Sequence, residues 1–384
     1  MKRILLFITL TSISLATHAS KLALSVEELR IEKAEKVMPT VMKVFDRQLL
    51  NFEKDWQSTK SFDQARNTVI SHGENLWRDA KQHIAKTNNF DDRSLFWTRL
   101  MFSKAVRTLG TDFNLTTVER ESLLHLLEES SRGRTDLTYR TNSHKRILIT
   151  GFDPFLLDRN IDQSNPSGVA AMLLDGQVID YKGITAEINT VMIPVRYIDF
   201  DQGIIEGLLA PYYALNNVDM IVTISMGRKD FDLEHFPGKR RSVTFPDNLN
   251  VSSGGDKTSP IISKLNDQLL PGNEFVEFSL PYQAMQKAKG DYKVNDNRKV
   301  VTLSNAMEPN SLIELVGEIA VSGSGGGYLS NEISYRSIRL RDQLNSTIPT
   351  GHIHTPRIKQ FEPEVERKII DQIKVMLQLS LSEI

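Results

Sequence analysis

The 384-residue sequence contains no cysteine. That absence excludes a disulfide framework, a thiolate metal site and a thiol nucleophile. An excess of one charge sign is missing too: 47 basic residues stand against 48 acidic ones, a formal charge of −1. A chain so balanced has no blanket attraction to nucleic acid or membranes, and neither is expected as a partner. The apolar run over residues 4–15 is too short for a membrane anchor. Phosphate-binding glycine motifs fail as well. No lysine follows the glycines of residues 323–327, and Tyr328 stands where a dinucleotide fingerprint wants glycine.

The N-terminus does carry Lys2-Arg3, that apolar run, and small residues around Ala19. Such a pattern describes a secretory signal peptide over residues 1–19, so the mature protein is expected to be exported, periplasmic or secreted. A buried first strand or helix is the competing reading, and the flanking charges oppose it. Cleavage would lower the basic residues from 47 to 45 against 48 acidic ones. Export and the missing cysteine agree, because an oxidising compartment converts thiols to disulfides or sulfenic acids.

Residues 20–130 read as a small all-α domain. Ser25-Val-Glu-Glu28 and Thr116-Thr-Val-Glu119 are capping-box patterns, and further helices are expected over residues 62–83 and 92–106. Pro39 should kink or divide the first helix. Trp56, Trp77 and Trp97 all lie here and read as core. Residues 131–144 are polar and aperiodic, a linker. From 145 to 384 strands alternate with helices. Strands are expected over 146–150, 188–195, 218–225, 315–322 and 348–354. Helices are expected over 166–174, 200–214, 281–289, 328–340 and 363–381. This alternation implies an α/β domain, with a mostly parallel sheet flanked by helices. Functional loops should gather at the strands' carboxyl ends, where residues 151–157, 225–234 and 323–330 fall. Residues 290–298 are polar and continue into further chain that reads as a surface insertion, with a hairpin near the mouth of the site.

The glycine run Ser322-Gly-Ser-Gly-Gly-Gly327 leads into Tyr328-Leu-Ser-Asn331, followed by Ile333, Tyr335 and Ile338 at roughly helical spacing. That is a strand, a tight turn and a helix start, with the Ser330 hydroxyl at the helix mouth. A nucleophile there has backbone N–H groups and the positive helix end to hold developing negative charge. His354, in Gly351-His-Ile-His-Thr-Pro356, offers a base. Glu234, closing Arg228-Lys-Asp-Phe-Asp-Leu-Glu234, offers an orienting acid. Each also has a plain structural reading: a tight turn, a strand histidine, a solvated loop acid. His352 and His354, with His235, would alternatively serve a metal-dependent hydrolase. His235 reads better as a surface or loop residue beside Glu234.

Several segments then follow one another in a telling order. They are Leu148-Ile-Thr-Gly-Phe-Asp-Pro-Phe155, Asn165-Pro-Ser167, Ile193-Pro-Val195, Gly227-Arg228, Glu234, Pro246-Asp-Asn248, and the segments bearing Ser330 and His354. Together they resemble the pyroglutamyl peptidase I (pyrrolidone-carboxylate peptidase) family over roughly residues 145–384. The resemblance implies that family's α/β fold, no cofactor and no metal, and a peptide substrate whose N-terminal pyroglutamate is removed by amide hydrolysis. It implies Glu234 as the acid, His354 as the base, and Ser330 where the family has its cysteine nucleophile. Phe152 and Phe155 fall on the family's pocket phenylalanines, aromatic walls that suit a flat lactam. Arg228 and Asn165 join them as substrate-binding residues, although Asn165 is equally placed to cap a helix.

Two further departures from the family stand out. Leu156-Leu157 stands where it has paired glycines, so this loop is expected to avoid glycine-only backbone angles. Thr244 stands where it has an arginine near the oxyanion site, a role Arg240 or Arg241 would have to fill. With serine at the nucleophile position, the competing expectation is an inactive relative that binds pyroglutamyl or otherwise blocked N-termini.

Overall fold

The computed structural model describes residues 21–140 and 145–384. The expected signal peptide, residues 1–19, and the last part of the expected linker, 141–144, lie outside the described residues. Helices come first: α1 (Val26–Leu29), α2 (Ile31–Val37), α3 (Pro39–Met42), α4 (Asp46–Gln57), α5 (Phe62–Thr87), α6 (Arg93–Thr108) and α7 (Thr117–Ser131). Both capping boxes form, Ser25 with Glu28 and Thr116 with Glu119. Pro39 divides rather than kinks: α2 stops before it, and it opens α3 at a position where its missing N–H costs nothing.

The rest alternates: β1 (Lys145–Phe152), α8 (Pro166–Leu174), β2 (Val178–Tyr181), β3 (Ile184–Ile193), α9 (Tyr197–Asp201), α10 (Ile204–Leu215), β4 (Met220–Met226) and β5 (Phe231–Glu234). Short pieces follow: β6 (Arg240–Arg241), β7 (Ile261–Ile262), β8 (Lys264–Leu265), β9 (Gln268–Leu269), α11 (Tyr282–Met285), β10 (Val294–Asn297), β11 (Val300–Thr302), β12 (Ala306–Met307) and β13 (Ala320–Ser322). Helix α12 (Leu329–Gln343), β14 (Thr350–Thr355) and α13 (Pro363–Ser380) close the chain. The main sheet is mixed and mostly parallel, ordered β10-β5-β14-β4-β1-β3-β2, with antiparallel pairings only at β14/β5 and β2/β3.

Five elements depart from expectation: the helix expected over 281–289 is shortened to α11, and four others differ as follows. The expected helix over 200–214 is broken by Gly203, whose φ of 79° is left-handed. Residues 312–315 form a 3-10 helix, and the turn at Gly317 (φ 86°) shortens the expected strand to β13. Residues 231–234 are strand, not loop: Phe231 and Leu233 are buried, in a two-residue alternation too short to read. Residues 294–297, read as surface insertion, form the edge strand beside β5, and the expected hairpin follows as β11–β12.

One hydrophobic cluster takes in Phe102, Trp77 and Leu127 of the helices together with Ile147, Val169 and Val222 of the α/β region. A second packs Ile31, Phe96 and Trp97 against Leu157 and Ile161. On the other sheet face Phe200, Leu209 and Ile333 cover Leu148 and Ile221. Ion pairs cross the same boundary. Fully buried Asp153 meets Arg99 and Arg132, each at 2.6 Å. Arg196 reaches Glu128 at 2.9 Å and Glu27 at 3.3 Å, and Arg30 reaches Asp158 at 2.7 Å. Asp92 accepts from the Ser164 hydroxyl at 2.8 Å and from the Asn165 N–H at 3.3 Å, while burial pushes its carboxyl up to about 8.

Removing one charge from such a node leaves the others buried without compensation. Asp153→Asn should therefore cost about 3–5 kcal/mol in urea unfolding. Lys299→Ala, at an exposed pair with Glu308, should stay within about 1 kcal/mol of wild type. Equal midpoints for the two variants would remove Asp153 from its structural role.

Candidate active site

Strands β14 and β4 run parallel in a register that sets His352 beside Thr223 and His354 beside Ser225. Two residues apart on one strand, both histidines face the same side. Fully buried His352 is held by two hydroxyls, Thr223 Oγ1 on Nδ1 and Ser225 Oγ on Nε2, both at 2.8 Å. Burial, with His354 adding to it, holds its pKa well below the ordinary histidine value. His352 is therefore a neutral structural imidazole, and its ring stands edge-on 4.9 Å from that of His354.

His354 makes a short hydrogen bond through Nδ1 to Glu234 Oε1. Glu234 is fully buried, and its other oxygen accepts from Asn297 Nδ2 at 2.9 Å. Burial raises the Glu234 pKa, opposed by the charge and hydrogen bond of His354. The backbone alongside must be bare: a Cβ at Gly227 would lie 2.6 Å from the His354 Cβ.

The glycine run makes the tight turn that its composition requires. Gly326 takes a φ of 90°, and a Cβ at Gly327 would lie 2.0 Å from Ser242 Oγ. Helix α12 then begins without any side-chain cap, so a ligand oxygen would meet its first-turn N–H groups. Ser330 sits in that first turn, half-buried, and its hydroxyl donates to the Gly325 carbonyl at 3.3 Å. Among the described residues no hydrogen bond joins it to His354. Ser330 does line a cavity of about 90 Å³ with Phe152, Phe155, Asn165, Val195, Ser225, Met226, Tyr328 and Leu329. The strand register puts Ser225, on that wall, directly beside His354.

The sequence-derived set divides accordingly. Ser330, Phe152, Phe155 and Asn165 share the cavity, and Glu234 and His354 form a bonded pair beside it. Asn165 also caps α8, its Oδ1 accepting from the Ser167 N–H at 3.1 Å and its Nδ2 donating to the Asp153 carbonyl at 2.9 Å. Arg228 stays outside the cavity, its side chain 65% exposed, 3.5 Å from the Ser324 carbonyl. His235 is buried rather than at the surface, between Asp296 at 2.6 Å and Glu277 at 3.1 Å. It does not converge with His352 and His354, and no three ligating side chains form a metal-binding group among the described residues.

Neither arginine offered for the oxyanion site is free to serve it. Arg240 is bound to Glu274 at 2.8 Å, and Arg241 to Glu332 at 2.6 Å and Asp201 at 2.7 Å. Leu156 takes a φ of 68°, so the loop adopts the left-handed angle there without glycine, at a cost of about 1–2 kcal/mol. Its neighbour explains the tolerance: Leu157 is buried in the cluster with Ile31 and Trp97 and anchors the loop. Sequence reasoning missed Asn297 and Ser225. Asn297 lies in a polar stretch with no motif, and Ser225 reads only as the end of a buried strand.

The site is thus a histidine–carboxylate pair and a helix-mouth serine set around an apolar cavity on an α/β sheet. Comparison with known proteins then gives the family. Residues 11–128 match the family described as PA0049 N-terminal domain, and residues 146–269 and 276–359 match that described as PA0049, C-terminal domain. The chain belongs to the PA0049 family. The uncharacterized protein PA0049 of Pseudomonas aeruginosa is 27% identical over 394 residues, covering 78% of this chain and 71% of the relative. Among solved structures, pyrrolidone carboxyl peptidase of Pyrococcus furiosus is 20% identical with a TM-score of 0.42, covering 62% of this chain and 99% of that one. A mutant form of that peptidase gives 20% identity and a TM-score of 0.43 over the same shares.

The His352 shift sets a pH dependence. Because its folded-state pKa is depressed, its contribution is fully present above about pH 6.5 and is lost as pH falls toward the folded value. Urea midpoints measured from pH 7 to pH 5 should fall less steeply for His352→Gln than for wild type. Identical slopes would show that His352 is not held neutral.

Proposed function

We propose that the chain is a serine-type hydrolase that removes N-terminal pyroglutamate from peptides. The observation carrying this reading is the buried Glu234–His354 pair beside a cavity lined by Ser330, Phe152 and Phe155. With Nδ1 committed to Glu234, His354 has Nε2 left to act as base. Ser330 Oγ attacks the scissile carbonyl carbon as its proton passes to Nε2, and Glu234 steadies the imidazolium that results. The imidazolium returns that proton to the leaving amine as the C–N bond breaks. Water, deprotonated by the same imidazole, then splits the acyl ester and restores Ser330. Backbone N–H groups of the 327–331 turn would hold the oxyanion, each worth about 3–4 kcal/mol. They carry that load alone, because Arg240 and Arg241 are tied to carboxylates. To react, the Ser330 hydroxyl must rotate away from the Gly325 carbonyl.

That same hydrogen bond favours a second reading, a non-catalytic protein that binds pyroglutamyl or other blocked N-termini in the cavity. A serine resting on a backbone carbonyl, with no bond to the base, is not activated for attack.

The purified mature chain should release a fluorogenic amine from a pyroglutamyl amide. Ser330→Ala, His354→Ala and Glu234→Ala should each lower kcat by about 100-fold or more, with little further loss in combination. Binding of pyroglutamyl peptides without any turnover would install the second reading instead.

We further propose that the protein is exported, on the strength of the Lys2-Arg3 charges, the apolar run and the small residues around Ala19. N-terminal sequencing of exported material should begin at or near Ser20 or Lys21. Intact Met1 on cytoplasmic protein would overturn this.

A further inference from the structure

We propose that Asn297, carried on the edge strand β10, is a positioning residue that locks Glu234 and the Ser330 loop to each other; the proposal rests on the reading of Glu234 and His354 as the acid–base pair. Strand β10 pairs with β5 in parallel, with Asn297 directly opposite Glu234. The Asn297 amide nitrogen donates to Glu234 Oε2 and to the Ser324 carbonyl, both at 2.9 Å. Its amide oxygen accepts from the Lys299 N–H at 3.3 Å, and its carbonyl accepts from the His235 N–H at 3.0 Å. An asparagine amide has two N–H hydrogens, and here each has one acceptor. The reverse orientation would turn an oxygen toward two acceptors, so the contacts fix the amide.

The second acceptor is what separates this residue from ordinary strand packing. Ser324 lies within the glycine turn that leads into α12 and Ser330. Its N–H and hydroxyl are already clamped at 3.0 Å to the carbonyl and N–H of Phe236, two residues past Glu234. Asn297 adds a third tie, through the same amide nitrogen that donates to Glu234. A displacement of the turn therefore pulls on the carboxylate, and the reverse.

The chemistry also suits an amide. Glu234 has no solvent exposure, so its ionised form is costly unless donors reach both oxygens. A neutral N–H offsets that cost without adding a cation to compete for the carboxylate. The charged groups facing Glu234 are His354 on β14, Asp232 on β5 and Arg228 ahead of it. Asp296, next to Asn297, is turned instead to His235 and Arg298.

Asn297→Ala should lower kcat by about 10- to 100-fold, the loss expected for a hydrogen bond to a charged group. KM should stay within about twofold, because Asn297 does not line the cavity. Without the donor, the already raised Glu234 carboxyl should titrate higher still, so the acid limb of kcat/KM moves to higher pH. Asn297→Asp keeps the shape, removes both donors and adds a like charge, so its acid limb should move further. A fall in melting temperature with the pH limb unmoved would mean packing alone and would overturn the proposal. An activity-free readout keeps it separate from the proposed function. Carbon NMR titration of the Glu234 carboxyl, assigned through Glu234→Gln, should show the same upward move in Asn297→Ala whether or not the protein turns over substrate. If Asn297→Ala does not fold, Asn297→Ser, with one donor, must give a smaller move in the same direction. An unmoved Glu234 titration in a folded variant overturns the proposal.

Discussion

The contact on which the rest of the structure depends is the buried carboxylate of Asp153 between the guanidinium groups of Arg99 and Arg132. Asp153 immediately follows Phe152 at the end of β1, so the ion pairs fix the first wall of the cavity. Its backbone carbonyl receives Asn165, which in turn starts α8. The two arginines come from the helical region, so the helices hold the site's floor in place. The arrangement leaves Arg99 Nε and Nη1 buried with no hydrogen-bond partner among the described residues. A buried ion pair is weak support for stability in itself, yet its loss is severe. It specifies one docking geometry for the helices, because any slip separates the charges.

Around that floor the candidate site's polar groups lie along the sheet rather than in one loop. His354 stands on β14, Glu234 on β5 and Asn297 on β10, three adjacent strands. His352, on the same strand as His354, has a hydroxyl partner on β4 for each ring nitrogen, so neither is left unpaired in the core. Side chains on paired strands are more accurately held than side chains on loops. Only Ser330 stands apart, on the helix across the cavity.

Much of this was legible from the residues. Capping boxes, Asn165-Pro166 and the glycine run mark helix starts through backbone chemistry that is local and therefore readable. Ser330, Phe152, Phe155 and Asn165, far apart in the chain, line one cavity. The Glu234–His354 contact spans 120 residues and came from chain order against a known family, not from periodicity. Elements set by distant partners were not legible. Strand β5 shows only two apolar residues, and β10 is polar apart from Val294; both exist because a neighbouring strand offers its backbone. Arg240 and Arg241 illustrate the same limit, since their carboxylate partners lie 34 and 91 residues away. The Leu156-Leu157 departure had its cause in the helices, where Leu157 finds its cluster.

The shared core also constrains the order in which the molecule can be assembled. During synthesis the helices, complete by Ser131, emerge before β1. At that moment Arg99 and Arg132 face no Asp153, and Trp97 and Ile31 have no Leu157 to cover them. The first third of the chain is thus an unfinished surface, charged and sticky at once, that closes only when the sheet arrives. The surface is completed by residues of the sheet and its loops, so the two regions finish a single core together.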